Sequence, residues 1–168
     1  MKDINDEREQ ISQIVSSTVV ETFSEMFGQP VTAESMAKQA KLPSEQQSVF
    51  SSIKLHHGKN DLEFCFRFDF DLLLQAAALI FTPDYLKHNQ VHEELAREIA
   101  NIVCSKVKAY LNERGYDIEM GFPYIPQPEQ NPLLQQSDVV HMHFYYNAAN
   151  AEQGVGVIVN FFTDQARV

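Results

Sequence analysis

The sequence predicts an α+β fold, with long helices layered on a mostly antiparallel sheet and built from two helix–strand–hairpin units. Three observations carry that expectation. Two long stretches, Asp3–Phe27 and Gln90–Gly115, place apolar residues at helical spacing and close on Gly28 and Gly115. Two pairs of alternating segments, Phe50–Leu55 with Leu62–Asp69 and Val139–Tyr146 with Gly154–Phe162, have the spacing of hairpins. Finally, each half runs long helix, glycine stop, short extended segment, loop and hairpin, and setting Gly28 on Gly115 offsets the halves by 87 positions. At 168 residues the chain is read as one domain, residues 1–168, with a pseudo-repeat over about 3–69 and 90–162.

In the first helix Ile11, Ile14, Val15, Val19, Thr22 and Met26 share one face, Gly28 supplies the stop, and Pro30 follows it. Val31–Gln46 is mixed and reads as a short strand or turn, with a helical turn near Ala33–Ala40 as the alternative. The HHGKND linker holds Gly58, Asn60 and Asp61, which is turn chemistry. In the strand after it, Leu62, Phe64, Phe66 and Phe68 alternate with Glu63, Cys65, Arg67 and Asp69, so one face buries a row of rings. On that reading Phe66→Ala is costly and Glu63→Ala is not. Asp69 or Asp71 caps a short helix over Leu72–Phe81, which Thr82-Pro83 stops.

The chain is organised around Gln90–Gly115. At about 100° per residue, Val91, Leu95, Ile99, Ile102, Val103, Val107, Tyr110 and Leu111 form one broad apolar arc. Glu98, Asn101 and Ser105 fall on the opposite, wet arc, the first two roughly 60° apart. Asn89 is the expected N-cap and Gly115 the left-handed stop. Lys106 falls inside the apolar arc, where its stem is expected to snorkel past the core rim. Tyr116–Met120 then reads as a strand, and Gly121–Gln136 as a long loop rich in Pro and Gln.

Composition narrows the function classes. A net charge of −10 leaves no basic stripe to neutralise a nucleic acid backbone. The longest apolar run, Leu72–Phe81, is far shorter than a membrane span, and Met1–Gln10 is too charged for a signal peptide. Cys65 and Cys104 lack CxxC spacing, which fits a reducing compartment, so a cytoplasmic location is expected. His88 and His92 stand four apart, and His141 and His143 share one face of a strand. Without HExxH or a cysteine pair, no metal site is expected from either. Both cysteines read as packing residues, and the sequence has neither a phosphate loop nor a GxSxG elbow.

Arg97-Glu98-Ile99-Ala100-Asn101-Ile102-Val103, followed by Gly115-Tyr116-Asp117-Ile118 and then Phe122-Pro123, resembles the CheC/CheX family of chemotaxis phosphatases, most of all its CheX branch. ExxN alone is weak, because polar residues belong on the wet face of any helix. ExxN on the exposed face of a long helix, followed by GYDI and a Phe-Pro turn, is far more specific.

The resemblance implies a CheC-like fold and hydrolysis of the phospho-aspartate in a response-regulator receiver domain. It implies that Glu98 anchors the receiver's active-site lysine, and that Asn101 inserts its carboxamide and orients a water in line with the phosphorus. Glu94 and Ser105 are placed on the docking face. Mg²⁺ is expected on the receiver, with no cofactor on this chain. The chemistry is sound on general grounds: phosphoryl transfer needs positioning and charge neutralisation more than a strong base, and an amide holds a water by donating and accepting at once. Relatives of this kind form homodimers through sheet edges, and the Val139–Phe162 hairpin is the expected edge.

The chain departs from the pattern four residues after the asparagine, where such proteins usually carry glycine and this one has Ser105. At the offset of 87, Glu98 and Asn101 fall on Ile11 and Ile14, so one site per subunit is expected. Two functions stay open. Asn101 favours hydrolysis; Ser105 keeps open a non-catalytic module of the same fold that binds a response regulator or a flagellar switch component.

Overall fold

The computed structural model describes residues 4–27, 31–35, 48–58, 60–125, 139–146 and 154–162. In order these form a 3-10 turn (Ile4–Glu7), α1 (Arg8–Phe27), β1 (Val31–Ser35), β2 (Ser48–His57), β3 (Asn60–Asp69), α2 (Phe70–Ile80), α3 (Pro83–His88), α4 (Val91–Glu113), β4 (Glu119–Met120), β5 (Val139–Tyr146) and β6 (Gly154–Phe162). Among the described residues the strands make one six-stranded antiparallel sheet in the order β1-β5-β6-β3-β2-β4. This is the α+β class that the sequence predicts.

Exchanging β1 with β4, β2 with β5 and β3 with β6 reverses that order and leaves β3 and β6 side by side at the centre. The registers correspond as well. Adding 91 to the pairs Ser48↔Asp69 and Phe50↔Arg67 gives the pairs Val139↔Asn160 and His141↔Ile158.

The helices are held by the aromatic row. Leu62, Phe64, Phe66 and Phe68 are fully buried, with the Phe66 and Phe68 rings stacked 6.1 Å apart. Each such ring contributes roughly 2–3 kcal/mol through burial. α4 lies on β2 and β3, and packs sideways on α1 and α2. From α1, Ile11, Val15, Val19 and Phe23 enter the same core.

Several local expectations change. β2 and β3 extend further than the alternation suggests, so His56 and His57 lie in a strand, and Gly58 turns the chain at φ +57, the left-handed region glycine favours. Glu63 is 3% exposed and, among the described residues, its Oε1 has no hydrogen-bond partner. Alternation reports which face a side chain takes, not whether that face is wet, and on β3 Glu63 has a neighbouring strand on each side, in register with Lys54 of β2. Val31–Ser35 is a strand paired with β5, which removes the helical-turn alternative at Ala33–Ser35; residues 36–47 lie outside the described residues, as do Gly28 and Pro30.

Asp69 is the N-cap of α2, accepting from the Leu72 amide at 3.1 Å. Thr82-Pro83 ends that helix by starting another: the Thr82 hydroxyl accepts from the Tyr85 amide at 3.2 Å, and Pro83 opens α3. Asn89 does not cap α4. Its Nδ2 donates to the Tyr85 carbonyl at 2.9 Å, closing α3 instead, and Gln90 takes the N-cap position of α4 with no side-chain bond. Gly115, at φ +96, ends α4 as expected.

Beyond α4, Tyr116 and Ile118 are buried anchors and only Glu119–Met120 is strand. The expected loop begins as a continuation of the sheet: the Ser52 and Tyr124 backbones exchange hydrogen bonds of 2.7 and 2.8 Å. Residues 126–136 lie outside the described residues. The hairpin of β5 and β6 is not an edge, because β5 lies between β1 and β6, and β6 between β5 and β3. The outer strands among the described residues are β1 and β4.

Candidate functional site

The buried side of α4 runs through Val91, Leu95, Ala96, Ile99, Ala100, Val103, Cys104, Val107 and Leu111. Ala96, Ala100 and Cys104 shift this arc away from the one drawn through the large residues alone. Ile102 is consequently only half-buried, and Lys106 is exposed instead of sliding past the core.

On the outward side, Glu94, Glu98, Asn101 and Ser105 follow at steps of four, three and four, which stacks them in one stripe. Glu94, Glu98 and Ser105 are exposed and Asn101 is half-buried. Among the described residues, neither Glu98 nor Asn101 has a hydrogen-bond or ion-pair partner. The helix therefore presents a carboxylate and a carboxamide one turn apart, both free to engage a group outside the chain.

This stripe is a ridge between two open depressions. One, about 570 Å³, lies between α4 and the end of α2 and is walled by Ile80, Phe81, Arg97 and Pro123. The other, about 470 Å³, is walled by Ile102, Ser105 and Lys106. Glu98 and Asn101 line both. The Ser105 hydroxyl lies 3.9 Å from the Met120 sulfur, leaning toward β4. Beside the first depression, Ile80 is 45% exposed; Leu79 at 65% and Phe122 at 93% add large apolar surface on the same two segments.

Ile11 and Ile14, on which the pair falls at the sequence offset of 87, enter the core, Ile11 fully buried and Ile14 partly. The remaining candidates fall into structural roles. Burial pushes the Cys65 thiol up to about 12, and Cys65 accepts from the Ser52 hydroxyl at 3.0 Å. Cys104 is fully buried and its thiol is raised well above the ordinary range, first by that burial. Neither thiol ionises near neutral pH. His88 ends α3 and bonds the Asp84 carbonyl at 2.9 Å, whereas His92 sits in α4 with its ring edge-on to Phe70, so the two do not share a helix face. His56 Nδ1 meets Asp61 Oδ1 at 2.7 Å, and His57 packs edge-on against Tyr116. Among the described residues, no three His, Cys, Asp or Glu side chains gather in a way that could hold a metal. No helix among them is long and apolar enough to cross a membrane.

Arg97 and Ile80 are absent from the sequence-level site. Arg97 could have been found, since it stands four residues before Asn101 on the same side of the helix. The exposure of Ile80 could not, because it ends an apolar run whose other members, such as Leu72 and Ala76, are core.

A layer of helices on a six-stranded antiparallel sheet, with ExxN on the open face of the longest helix, defines a protein of the CheC-like fold. Its solved neighbours include chemotaxis proteins of the CheC and CheX kind. A CheC-like superfamily protein from Shewanella sp. PV-4 superposes with a TM-score of 0.66 and 14% identity, over 91% of this chain and 97% of that one. The chemotaxis protein CheX from Vibrio vulnificus gives 0.65 and 15%, over 91% and 99%. A chain of the CheX–CheY–BeF3–Mg²⁺ complex from Borrelia burgdorferi gives 0.62 and 13%, over 93% and 97%. No protein-family model and no curated protein matches the sequence. At these identities the likeness is one of fold.

Proposed function

We propose that this chain docks the outward face of α4 on the phosphorylated receiver domain of a response regulator and hydrolyses its phospho-aspartate. The observation that carries this reading is the unpartnered Glu98–Asn101 pair, shared by two depressions on an otherwise ordered helix face. Support comes from the fold, which is also that of a chain in a CheX–CheY complex.

In the proposed reaction Glu98 accepts hydrogen bonds from the receiver's active-site lysine and so fixes the register of docking. The Asn101 carboxamide oxygen accepts a hydrogen bond from a water and its NH2 donates to a neighbouring oxygen, holding the water in line with the phosphorus. The water oxygen bonds to phosphorus as the bond to the aspartyl oxygen breaks, giving inorganic phosphate and a free carboxylate. The Mg²⁺ that neutralises charge in such reactions is assigned to the receiver. The setting is the cytoplasm, and the protein is assigned as a homodimer joined through an outer strand, β1 or β4.

Ser105 favours a second reading. Its side chain narrows the second depression where glycine would leave it open, which suits a module that binds a response regulator or flagellar switch component without hydrolysis. Following the decay of a phosphorylated receiver with and without the protein separates the two.

A further inference from the structure

Building on the proposed docking, we infer that Arg97 is the substrate-binding residue that reads the phosphoryl charge, so that the protein prefers a phosphorylated receiver to an unphosphorylated one. Arg97 is exposed and lines the 570 Å³ depression together with Glu98 and Asn101. It stands four residues before Asn101, a spacing that puts Cβ atoms roughly 5–6 Å apart on a helix. A guanidinium there opens on the same depression as the Asn101 carboxamide.

Its charge is uncommitted. Glu93, Glu94 and Glu98 all lie within four positions, yet among the described residues Arg97 forms no ion pair and no hydrogen bond. Of the described residues lining that depression, it alone is cationic, and Glu94 and Glu98 are both anionic. An acyl phosphate approaching this wall, on a chain of net charge −10, meets repulsion from two carboxylates. A free guanidinium beside them offsets that repulsion, and its planar fork matches two phosphoryl oxygens at once. A receiver without the phosphoryl group offers nothing for that fork to hold.

The test is a binding titration of wild type, Arg97→Gln and Arg97→Lys against a purified, Mg²⁺-loaded CheY receiver, with and without beryllium fluoride as the phosphoryl stand-in. Arg97→Gln is expected to weaken binding of the fluoride-loaded form roughly tenfold and leave the unloaded form unchanged. Arg97→Lys keeps the charge without the fork and falls between. Because Arg97 is exposed, both variants melt with wild type. Equal weakening of the two receiver forms, or none, overturns the inference while leaving the docking proposal standing. A wild-type protein that binds neither form overturns both.

Discussion

The hydroxyl of Tyr110 donates a 2.6 Å hydrogen bond to Oε2 of Glu7, tying the N-terminal turn to the last turns of α4. Arg114 Nε donates to the other oxygen of the same carboxylate at 2.9 Å. Glu7 is 6% exposed, so its charge is compensated by these partners from the helix that carries Glu98 and Asn101. The hydrogen bond to Glu7 holds the Tyr110 phenol above its ordinary 10.0, with partial desolvation and the carboxylate's field adding to it.

Glu7→Gln is expected to bring the Tyr110 phenol back toward 10.0 in an ultraviolet titration and to lower the melting temperature. The sign follows from linkage. A phenol whose pKa is raised by folding stabilises fully below its unfolded value and loses that contribution as pH rises through the folded one. Wild type should therefore lose stability above about pH 10, and the variant should lose less there. An unchanged phenol titration would show that the Glu7–Tyr110 contact is not formed in solution.

The two faces of β3 give a second pair of predictions. Phe66→Ala removes a fully buried ring and should cost about 3–5 kcal/mol in urea melts. Glu63 behaves differently from a wet-face residue: burial raises its carboxyl above 4.5, opposed by Lys54 and reinforced by Asp61. A raised carboxyl favours folding below its unfolded pKa, and that advantage disappears as pH climbs through the folded pKa. Glu63→Gln should accordingly flatten the pH dependence of stability above 4.5 and leave the protein more stable near neutrality. A variant less stable than wild type at neutral pH contradicts this.

The elements legible in the sequence are those fixed by local pattern. The Phe64, Phe66, Phe68 row, the periodicity of Val91–Glu113 and the stop at Gly115 each follow from neighbours within a few positions. What stays hidden depends on distant partners. The second strand beside Glu63 and the interior position of β5 and β6 follow from β1 pairing with β5 and β3 with β6, which no short window reveals. Asn89 was contested by two helices only two residues apart, and α3 took it. Lys106 and Ile102 left the core because small residues let the helix roll. At the site, the Glu94–Glu98–Asn101–Ser105 stripe is readable from spacing, whereas the depressions beside it need the placement of Ile80 and Pro123.

Ser105→Gly should leave phosphatase activity equal to wild type or raise it, by removing a side chain from the wall of the second depression. Stability should fall by about 0.5 kcal/mol, the difference in helix propensity between serine and glycine. Parallel turnover assays and urea melts check both, and a fall in turnover at unchanged stability would give the hydroxyl a positive role.

Sheet order moves the expected dimer contact. Light scattering should give a dimer mass for wild type, and a proline scan of β1 or Glu119→Pro on β4 should give a monomer. A monomeric wild type, or a dimer that survives both sets of changes, removes edge pairing from the account.

The most direct test follows the loss of phosphate from a receiver phosphorylated with a small phosphodonor in Mg²⁺, alone and with wild type, Asn101→Ala or Glu98→Ala. Wild type should accelerate the decay. Asn101→Ala should bind the receiver yet lose roughly a hundredfold of that acceleration, since in the proposed reaction this side chain holds the water. Glu98→Ala should weaken both binding and turnover. Acceleration that survives intact in Asn101→Ala would contradict the assigned catalytic residue, and a wild-type protein that binds the receiver but leaves its decay unchanged would contradict hydrolysis itself.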